Sequence, residues 1–353
     1  MISTARSLLL KGGFALMLAA GILSGAQAQA GPAQPPDGKA LKQAVEQARG
    51  FENLHALIVA QNGKVLTEYA FRGPALDRPV NIKSASKTVL SALVGIAIDW
   101  GVLQGVDQPV APLLRGSIPP GADERIDAIT VGHLLSMRAG LERTSGRNYG
   151  AWIGSGNWVR YALSRPFVDE PGGRMLYSTG STHLLSAALT RAARRSTFEL
   201  ARDWLGEPLD ITIPPWTRDP QGIYLGGNEM ALSPRALLRF GELYRLGGVI
   251  DGKRVVSEGW IRESWTPRTA SPFTGDAYGY GWFIQTMRGH PVDYAWGYGG
   301  QMLYVIPSLA LTIVMTSDPT QPSRQDHYVD ALHALVADGI IPALEAHGAA
   351  GRT

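Results

Sequence analysis

A serine and a lysine three positions apart are the residues of this sequence best suited to covalent chemistry. They are Ser84 and Lys87, within NIKSASKTVLSALVGIAIDWG from Asn81 to Gly101. The apolar residues after Ser84 predict a helix that begins near it, and residues i and i+3 of a helix share a face. Free N–H groups and the positive dipole end at a helix start favour an oxyanion. A lysine packed there should have a lowered pKa, which lets it accept the serine proton.

A serine–lysine pair at this spacing is weak evidence by itself. A chance match is expected about once in every two or three chains of this composition. Ser86 is a competing nucleophile, but it is adjacent to Lys87 and would face elsewhere on the helix. A solvated lysine on a helix face is the alternative interpretation, so the assignment depends on other groups that converge on the pair.

Two further stretches supply candidate partners for the pair. Tyr177 precedes Thr179 and a predicted helix in GGRMLYSTGSTHLLSAAL, and a tyrosine near a cationic lysine can be drawn toward phenolate and move protons. Gly297, Gly299 and Gly300 in AWGYGGQMLYVIP would let a substrate approach backbone N–H groups, as an oxyanion hole requires. The alternatives are a tyrosine ring packed in a loop and a tight turn that leads into a strand.

The elements that must position these residues divide the chain into three segments. Residues 31–113 and 224–353 contain predicted hairpins at Asn62-Gly63, which favours a type I′ turn, and around Pro307-Ser308. The run YGYGWFIQTM predicts one more strand. Residues 114–223 consist of predicted helices separated by loops rich in glycine and proline. This pattern predicts an α/β domain whose sheet uses both ends of the chain, interrupted by an all-helical domain at 114–223.

Residues 1–30 predict a secretory signal peptide. Arg6 and Lys11 precede the apolar run FALMLAAGILSG, and AQAQA offers a small-residue cleavage site. The apolar run is shorter than the roughly 20 residues that span a bilayer, which disfavours the alternative of a retained anchor. We therefore expect a periplasmic or secreted protein with no membrane span in its mature chain.

Composition excludes several other kinds of site. The 353 residues include no cysteine, which rules out disulfides, thiolate nucleophiles and cysteine–zinc sites. The net charge of +3 comes from scattered basic residues, so nucleic acid is not an expected partner. His133, His183 and His290 lack metal-ligand spacing, and no G-x-S-x-G motif is present. His183 lies one turn after Thr179 and could border the site, although packing in the core is favoured.

Several motifs, in this order, resemble those of a known superfamily: SASKTVLSALVGIAID, ITVGHLLSMRAGL, MLYSTGSTHLL, LSPRALLRFGELYRLGG, YGYGWF and AWGYGGQ. The chain resembles the serine β-lactamases and penicillin-binding proteins over nearly its whole mature length. It is most similar to the class C β-lactamase-like branch, which includes 6-aminohexanoate-dimer hydrolases and carboxylesterases. The resemblance implies an α+β fold with a central antiparallel sheet flanked by helices, plus the all-helical insertion.

The resemblance also implies roles for the candidate residues. Ser84 would be the acylated nucleophile, Lys87 its proton acceptor, and Tyr177 a general base or the acid that protonates the leaving group. Backbone N–H groups of Ser84 and of the segment formed by Gly299, Gly300 and Gln301 would hold the oxyanion. Neither a metal nor a cofactor would be needed.

Two departures from the superfamily's motifs bear on the substrate. Thr179 occupies the asparagine position of Tyr-x-Asn, and Gly297-Tyr298-Gly299 stands where penicillin-recognising enzymes have Lys-Thr-Gly. Gly297 cannot bind a substrate carboxylate by charge, which predicts weak activity on β-lactams and peptidoglycan. Tyr298 would either close over the substrate or lie at the rim without specific contact.

The sequence therefore predicts an exported serine hydrolase that cleaves a small amide or ester. One alternative is a β-lactamase or D,D-peptidase. The other is a non-catalytic relative that binds cell-wall or peptide ligands.

Overall fold

The computed structural model describes residues 38–322 and 327–348, so the predicted signal peptide lies outside the described residues. Within those two ranges no helix is both long and apolar enough to cross a membrane. The helices are α1 (Gly38–Arg49), α2 (Ser86–Asp99), α3 (Ala111–Leu114), α4 (Val131–Leu135), α5 (Tyr149–Ile153), α6 (Trp158–Leu163), α7 (Thr179–Ala193), α8 (Thr197–Ala201), α9 (Glu207–Leu209), α10 (Pro234–Arg245), α11 (Glu258–Ser264), α12 (Tyr328–Ala334) and α13 (Ile341–Gly348). The strands are β1 (Leu54–Gln61), β2 (Lys64–Ala70), β3 (Val80–Asn81), β4 (Ala231–Leu232), β5 (Val249–Ile250), β6 (Lys253–Arg254), β7 (Thr269–Ala270), β8 (Ala277–Tyr278), β9 (Phe283–Met287), β10 (His290–Gly297), β11 (Gln301–Ile306) and β12 (Leu311–Ser317).

The central sheet has eight strands in the order β2-β1-β12-β11-β10-β9-β8-β7. Every neighbouring pair is antiparallel. The sheet thus joins strands from both ends of the chain, and the expected α+β fold with a central antiparallel sheet is confirmed. Residues 82–230 are all described. They contain helices and isolated β-bridges but no β-strand. The domain boundaries at 114 and 223 stay a prediction.

The predicted hairpins form, but one predicted strand is wrong. Asn62 and Gly63 both have positive φ, 52° and 76°, as a type I′ turn between β1 and β2 requires. The run YGYGWFIQTM is not one strand, because a turn separates β8 from β9. Gly281 in that turn has φ +81°, and a Cβ there would lie 2.9 Å from the Ser91 side chain on α2. The turn therefore packs directly against the helix that follows Ser84.

Both faces of the central strands β1, β11 and β12 are buried, which explains why these strands are apolar. On β1, Leu57 and Val59 pack with α1 and the C-terminal helices, whereas Ala56 and Ile58 pack on the side that includes α2. Alternate strand residues point to opposite faces, so both sets must be apolar. Helix α2 is buried from its first residue through Ala97. A helix enclosed on all sides is apolar all round, and any polar side chain in it needs a partner.

Candidate active site

A strained turn presents Ser84 at the start of α2. Lys83 has φ +49°, an unfavourable value for a side chain with a Cβ. Its N–H donates to Asn81 Oδ1 at 2.8 Å, and its ammonium pairs with Glu229 at 3.2 Å. The Ser86 hydroxyl donates to the Lys83 carbonyl at 2.5 Å. Ser86, the competing serine, therefore holds the turn, while Ser84 lies open to a pocket.

Lys87 is buried behind Ser84, with only 1% of its surface exposed. Its Nζ lies 3.2 Å from Ser84 Oγ, 3.3 Å from Thr179 Oγ1 and 2.7 Å from the Gly227 carbonyl oxygen. Burial lowers the pKa of Lys87 to about 7, so a substantial fraction of the amine is neutral at neutral pH. A neutral amine has two N–H donors and one lone pair. An ammonium can donate to all three oxygens. In the neutral amine, Gly227 and Thr179 can accept the two N–H bonds, which leaves the lone pair for the Ser84 hydroxyl.

Tyr177 lies over the pair as a neutral phenol. Its ring centroid is 5.0 Å from Lys87 Nζ. Burial raises the pKa of Tyr177 to about 12, although a hydrogen bond with the Ser84 side chain opposes that rise. The expected shift toward phenolate is therefore wrong for the free protein. It assumed a cationic neighbour, whereas desolvation disfavours charge on both groups.

Ser84 and Tyr177 line a cavity of about 460 Å³ with a largely aromatic wall. The other described residues that line it are Arg143, Ser145, Gly146, Phe273, Phe283, Trp296, Tyr298 and Pro322. Arg143 adds a positive charge, and its guanidinium lies 5.7 Å from the centre of the Phe273 ring. Tyr298 is 49% exposed at the rim, where it could cover a bound substrate. The pocket therefore suits an apolar group next to a reactive carbonyl.

The glycines before β11 are required by close backbone contacts and by positive φ angles. A Cβ at Gly297 would lie 2.2 Å from the Ile82 carbonyl oxygen, so glycine lets β10 run beside the segment that leads to Ser84. Gly299 and Gly300 have φ of +85° and +92° and form the turn between β10 and β11. A Cβ at Gly299 would lie 2.4 Å from the Asp318 carbonyl oxygen. The turn is held close to Ser84, where its backbone was expected to bind an oxyanion.

Neither the Thr179 side chain nor the Gln301 side chain lines the pocket. The Gln301 amide is fully buried and hydrogen bonds the backbone of Ser317 at both of its ends. Thr179 is 4% exposed, and its hydroxyl contacts Lys87 and, at 3.2 Å, Ser145. The oxyanion role predicted for Gln301 concerns its backbone and does not depend on this side chain, whereas the Thr179 hydroxyl supports the lysine.

The structure also brings in residues that the sequence did not single out. Gly227 accepts from Lys87, Arg143 and Ser145 line the pocket, and Phe273 and Phe283 form its wall. Arg143 and Ser145 directly follow the ITVGHLLSMRAGL motif, which could have drawn attention to them. Nothing in the local sequence marks the two phenylalanines. Trp296 lines the pocket, whereas Trp152 and Trp158 pack in a separate small hydrophobic cluster.

One protein family matches most of the chain. The model of the family described as Beta-lactamase matches residues 42–338. The chain belongs to the Beta-lactamase family. It is a hydrolase of that family, and the fold resemblance read from the sequence is confirmed.

Named relatives include enzymes that act on amides. The chain is 27% identical over 306 residues to a 6-aminohexanoate-dimer hydrolase of Paenarthrobacter ureafaciens, which covers 77% of this chain and 74% of the relative. A D-stereospecific amidohydrolase from Streptomyces sp. has a TM-score of 0.67 at 18% identity, covering 86% of this chain and 99% of that one. EstCE1, a hydrolase with promiscuous acyltransferase activity, has a TM-score of 0.65 at 17% identity, covering 84% and 97%. These two structures show a shared fold.

Proposed function

We propose that this protein is an exported serine hydrolase that cleaves small amides or esters through an acyl-enzyme on Ser84. The observation that carries the proposal is the hydrogen bonding of Lys87. Three oxygens lie within hydrogen-bond distance of Nζ, and when the amine is neutral two of them can accept its N–H bonds while Ser84 Oγ, at 3.2 Å, donates to the lone pair. A hydroxyl nucleophile needs such a base, and a binding protein has no use for one.

Acylation begins when Ser84 Oγ attacks the substrate carbonyl and its proton passes to Lys87. The C–O bond to the enzyme forms, and the carbonyl oxygen becomes an oxyanion. The backbone N–H of Ser84 and an N–H of the segment from Gly299 to Gln301 would stabilise that charge. In the free protein the Gly300 N–H donates to the Gly297 carbonyl at 3.1 Å, so it would have to leave that acceptor to take part. Neutral Lys87 suits this step because it gains a proton without first losing one.

Collapse of the tetrahedral intermediate breaks the bond to the amine or alcohol. The Tyr177 phenol donates the proton that this leaving group needs and takes one back from the Lys87 ammonium. A water molecule then attacks the acyl-enzyme by the same route, which releases the acid and restores Ser84. Because the pKa of Tyr177 is raised to about 12, the phenol remains protonated until it donates its proton to the leaving group.

The pocket favours a substrate with an apolar acyl group over a β-lactam. Its wall is aromatic, and the position expected to hold a carboxylate-binding lysine is Gly297. A panel of p-nitrophenyl esters, a linear amide of 6-aminohexanoate and a chromogenic cephalosporin tests this. We expect kcat/KM for the ester or the linear amide to exceed that for the cephalosporin by about tenfold or more. Faster turnover of the cephalosporin would instead identify a β-lactamase.

Tyr177→Phe keeps the ring in the pocket and removes only the hydroxyl. We expect kcat for amide hydrolysis to fall by roughly a hundredfold, because the poor amine leaving group needs a proton donor. An activated p-nitrophenyl ester, whose leaving group departs as an anion, should lose much less. Steady-state kinetics on both substrates measures the difference, and equal losses would contradict the role of Tyr177 as acid.

A further inference from the structure

A buried histidine–aspartate pair lies next to the active site without touching the pocket. His183 Nε2 is 3.1 Å from Asp219 Oδ2, and both side chains are 0% exposed. The edges of Trp152 and Trp158 enclose the imidazole, with ring centroids 5.7 and 5.5 Å away. Burying an ionisable pair is costly, so a pair retained there calls for a reason beyond packing.

The hydrogen bonds around the pair fix the position of its proton. The Gly226 N–H donates to His183 Nδ1 at 3.3 Å, so Nδ1 carries no proton and Nε2–H donates to Asp219. Asp219 Oδ1 accepts two backbone N–H bonds, from Gln221 and Ile223, each at 2.8 Å. Burial alone would raise the pKa of Asp219, but the hydrogen bonds from His183, Ile223 and Gln221, together with the electrostatic interaction with His183, outweigh it and lower the pKa. The aspartate is therefore a fixed anion that holds one histidine tautomer.

The residue that His183 holds, Gly226, is followed by the residue whose carbonyl contacts the Lys87 amine. Gly227 follows Gly226, and its carbonyl oxygen makes the shortest of the three Lys87 contacts, at 2.7 Å. A Cβ at Gly226 would lie 2.1 Å from the Thr182 carbonyl oxygen, and one at Gly227 would lie 2.6 Å from Lys87 Cγ. The two glycines thus fit closely between α7 and Lys87. The Thr182 hydroxyl donates to the Gly226 carbonyl at 2.9 Å, and His183 holds the N–H side of the same residue.

We propose that His183 and Asp219 are positioning residues of the active site, which hold the Gly227 carbonyl on the Lys87 amine. Asp219 fixes the histidine tautomer, and His183 Nδ1 accepts a hydrogen bond from the Gly226 N–H. The Gly227 carbonyl in turn accepts one N–H bond from Lys87. The lone pair of the amine is then left toward Ser84. This inference rests on the proposed role of Lys87 as the proton acceptor.

Asp219→Asn tests the proposal with little change in size. The asparagine carbonyl can keep the bonds from Gln221 and Ile223, so its NH₂ faces His183. His183 Nε2 must then accept a hydrogen bond from that NH₂ group, so the imidazole proton moves to Nδ1. Nδ1 can no longer accept the Gly226 N–H, and the two N–H groups repel each other. An analogous exchange in serine proteases also selects the wrong tautomer.

Two histidine variants separate the two ring nitrogens. The oxygen of His183→Asn lies near the place of Nδ1 and keeps an acceptor for Gly226. The amide of His183→Gln reaches toward Asp219 but leaves the Gly226 N–H without its acceptor. Ser186→Ala is a matched control, because Ser186 also joins α7 to this loop, through the Tyr224 carbonyl at 2.7 Å, but does not contact Gly226.

The readout is the pH dependence of kcat/KM together with separate kcat and KM values. The ionisable groups around the site are Tyr177, whose ring centroid lies 5.0 Å from Lys87 Nζ, the Lys83–Glu229 ion pair in the flanking segments and, in the pocket, Arg143. None of these is changed by the variants. A carbonyl acceptor favours the charged amine, so its loss should lower the pKa of Lys87 further.

For Asp219→Asn and His183→Gln we expect kcat to fall by about tenfold or more with KM changed by less than about threefold. The rising limb of the pH profile should move to lower pH by about half a unit. His183→Asn and Ser186→Ala should keep the wild-type midpoint. The positioning role would be overturned if the pH midpoint of kcat/KM stayed fixed in all four variants. It would also be overturned if that midpoint rose because water entered the site around Lys87. If the wild-type enzyme shows no rising limb near pH 7, the proposed function itself has failed.

Discussion

Ser84→Ala is expected to reduce ester hydrolysis by on the order of 10⁴-fold or more, because the acyl-enzyme can no longer form. The substitution removes one oxygen at a partly exposed position, so the folded state should be retained. Steady-state kinetics on a p-nitrophenyl ester measures the loss. Mass spectrometry of the intact protein after rapid quenching should show the acyl adduct in the wild type and none in the variant.

Ser86→Ala is the matched control for that loss. Ser86 lies two residues away, and its hydroxyl holds the Lys83 turn rather than the pocket. This variant should lose some stability, about 1–3 kcal/mol for a buried hydrogen bond, and should still form the adduct. An adduct that disappears in Ser86→Ala but persists in Ser84→Ala would reverse the assignment of the nucleophile.

Lys87→Met is expected to lower kcat by roughly 10²- to 10⁴-fold, the range of general acid–base contributions. Methionine fills a similar volume but cannot accept the Ser84 proton. Kinetics on the same ester measures the effect. Lys83→Met is the control, because Lys83 is four residues earlier and pairs with Glu229 in a partly exposed ion pair. It should change kcat by less than about tenfold, and equal losses in both variants would contradict the special role of Lys87.

The Lys87→Met variant also separates the effect on catalysis from the effect on stability. In the wild type the pKa of Lys87 is about 7 when folded and near 10.5 when unfolded. Between these pH values the unfolded chain binds the extra proton, so the free energy of unfolding rises with pH, by up to about 1.4 kcal/mol per unit. Lys87→Met lacks this slope. Its loss of activity at neutral pH should therefore not come with a loss of stability.

Local patterns made part of this architecture predictable. The apolar run after Ser84 predicts α2, and the Asn62-Gly63 pair predicts the first hairpin, because each depends on neighbours in the chain. The spacing of Ser84 and Lys87 also places both on one side of the helix start. These features were confirmed because no distant contact overrides them.

The protonation of the site was not predictable in the same way. Lys87 and Gly227 are 140 positions apart, and only the folded chain brings the carbonyl to the amine. Tyr177 was expected to move toward phenolate, but its burial could not be read from the loop around it. His183 was favoured as a core residue, and it is one, although its hydrogen bond to Gly226 depends on a loop 43 positions away.

The measurement that tests the central claim most directly is the rate at which a fluorophosphonate labels Ser84 as a function of pH. Peptide mapping by mass spectrometry identifies the modified residue in the wild type and in Lys87→Met. We expect the label on Ser84, at a rate that rises through about pH 7 as Lys87 loses its proton, and slow labelling in the variant. Labelling of another residue, or a rate on Ser84 that is the same from pH 6 to 8.5 and unaffected by Lys87→Met, would contradict activation of this serine by a neutral amine.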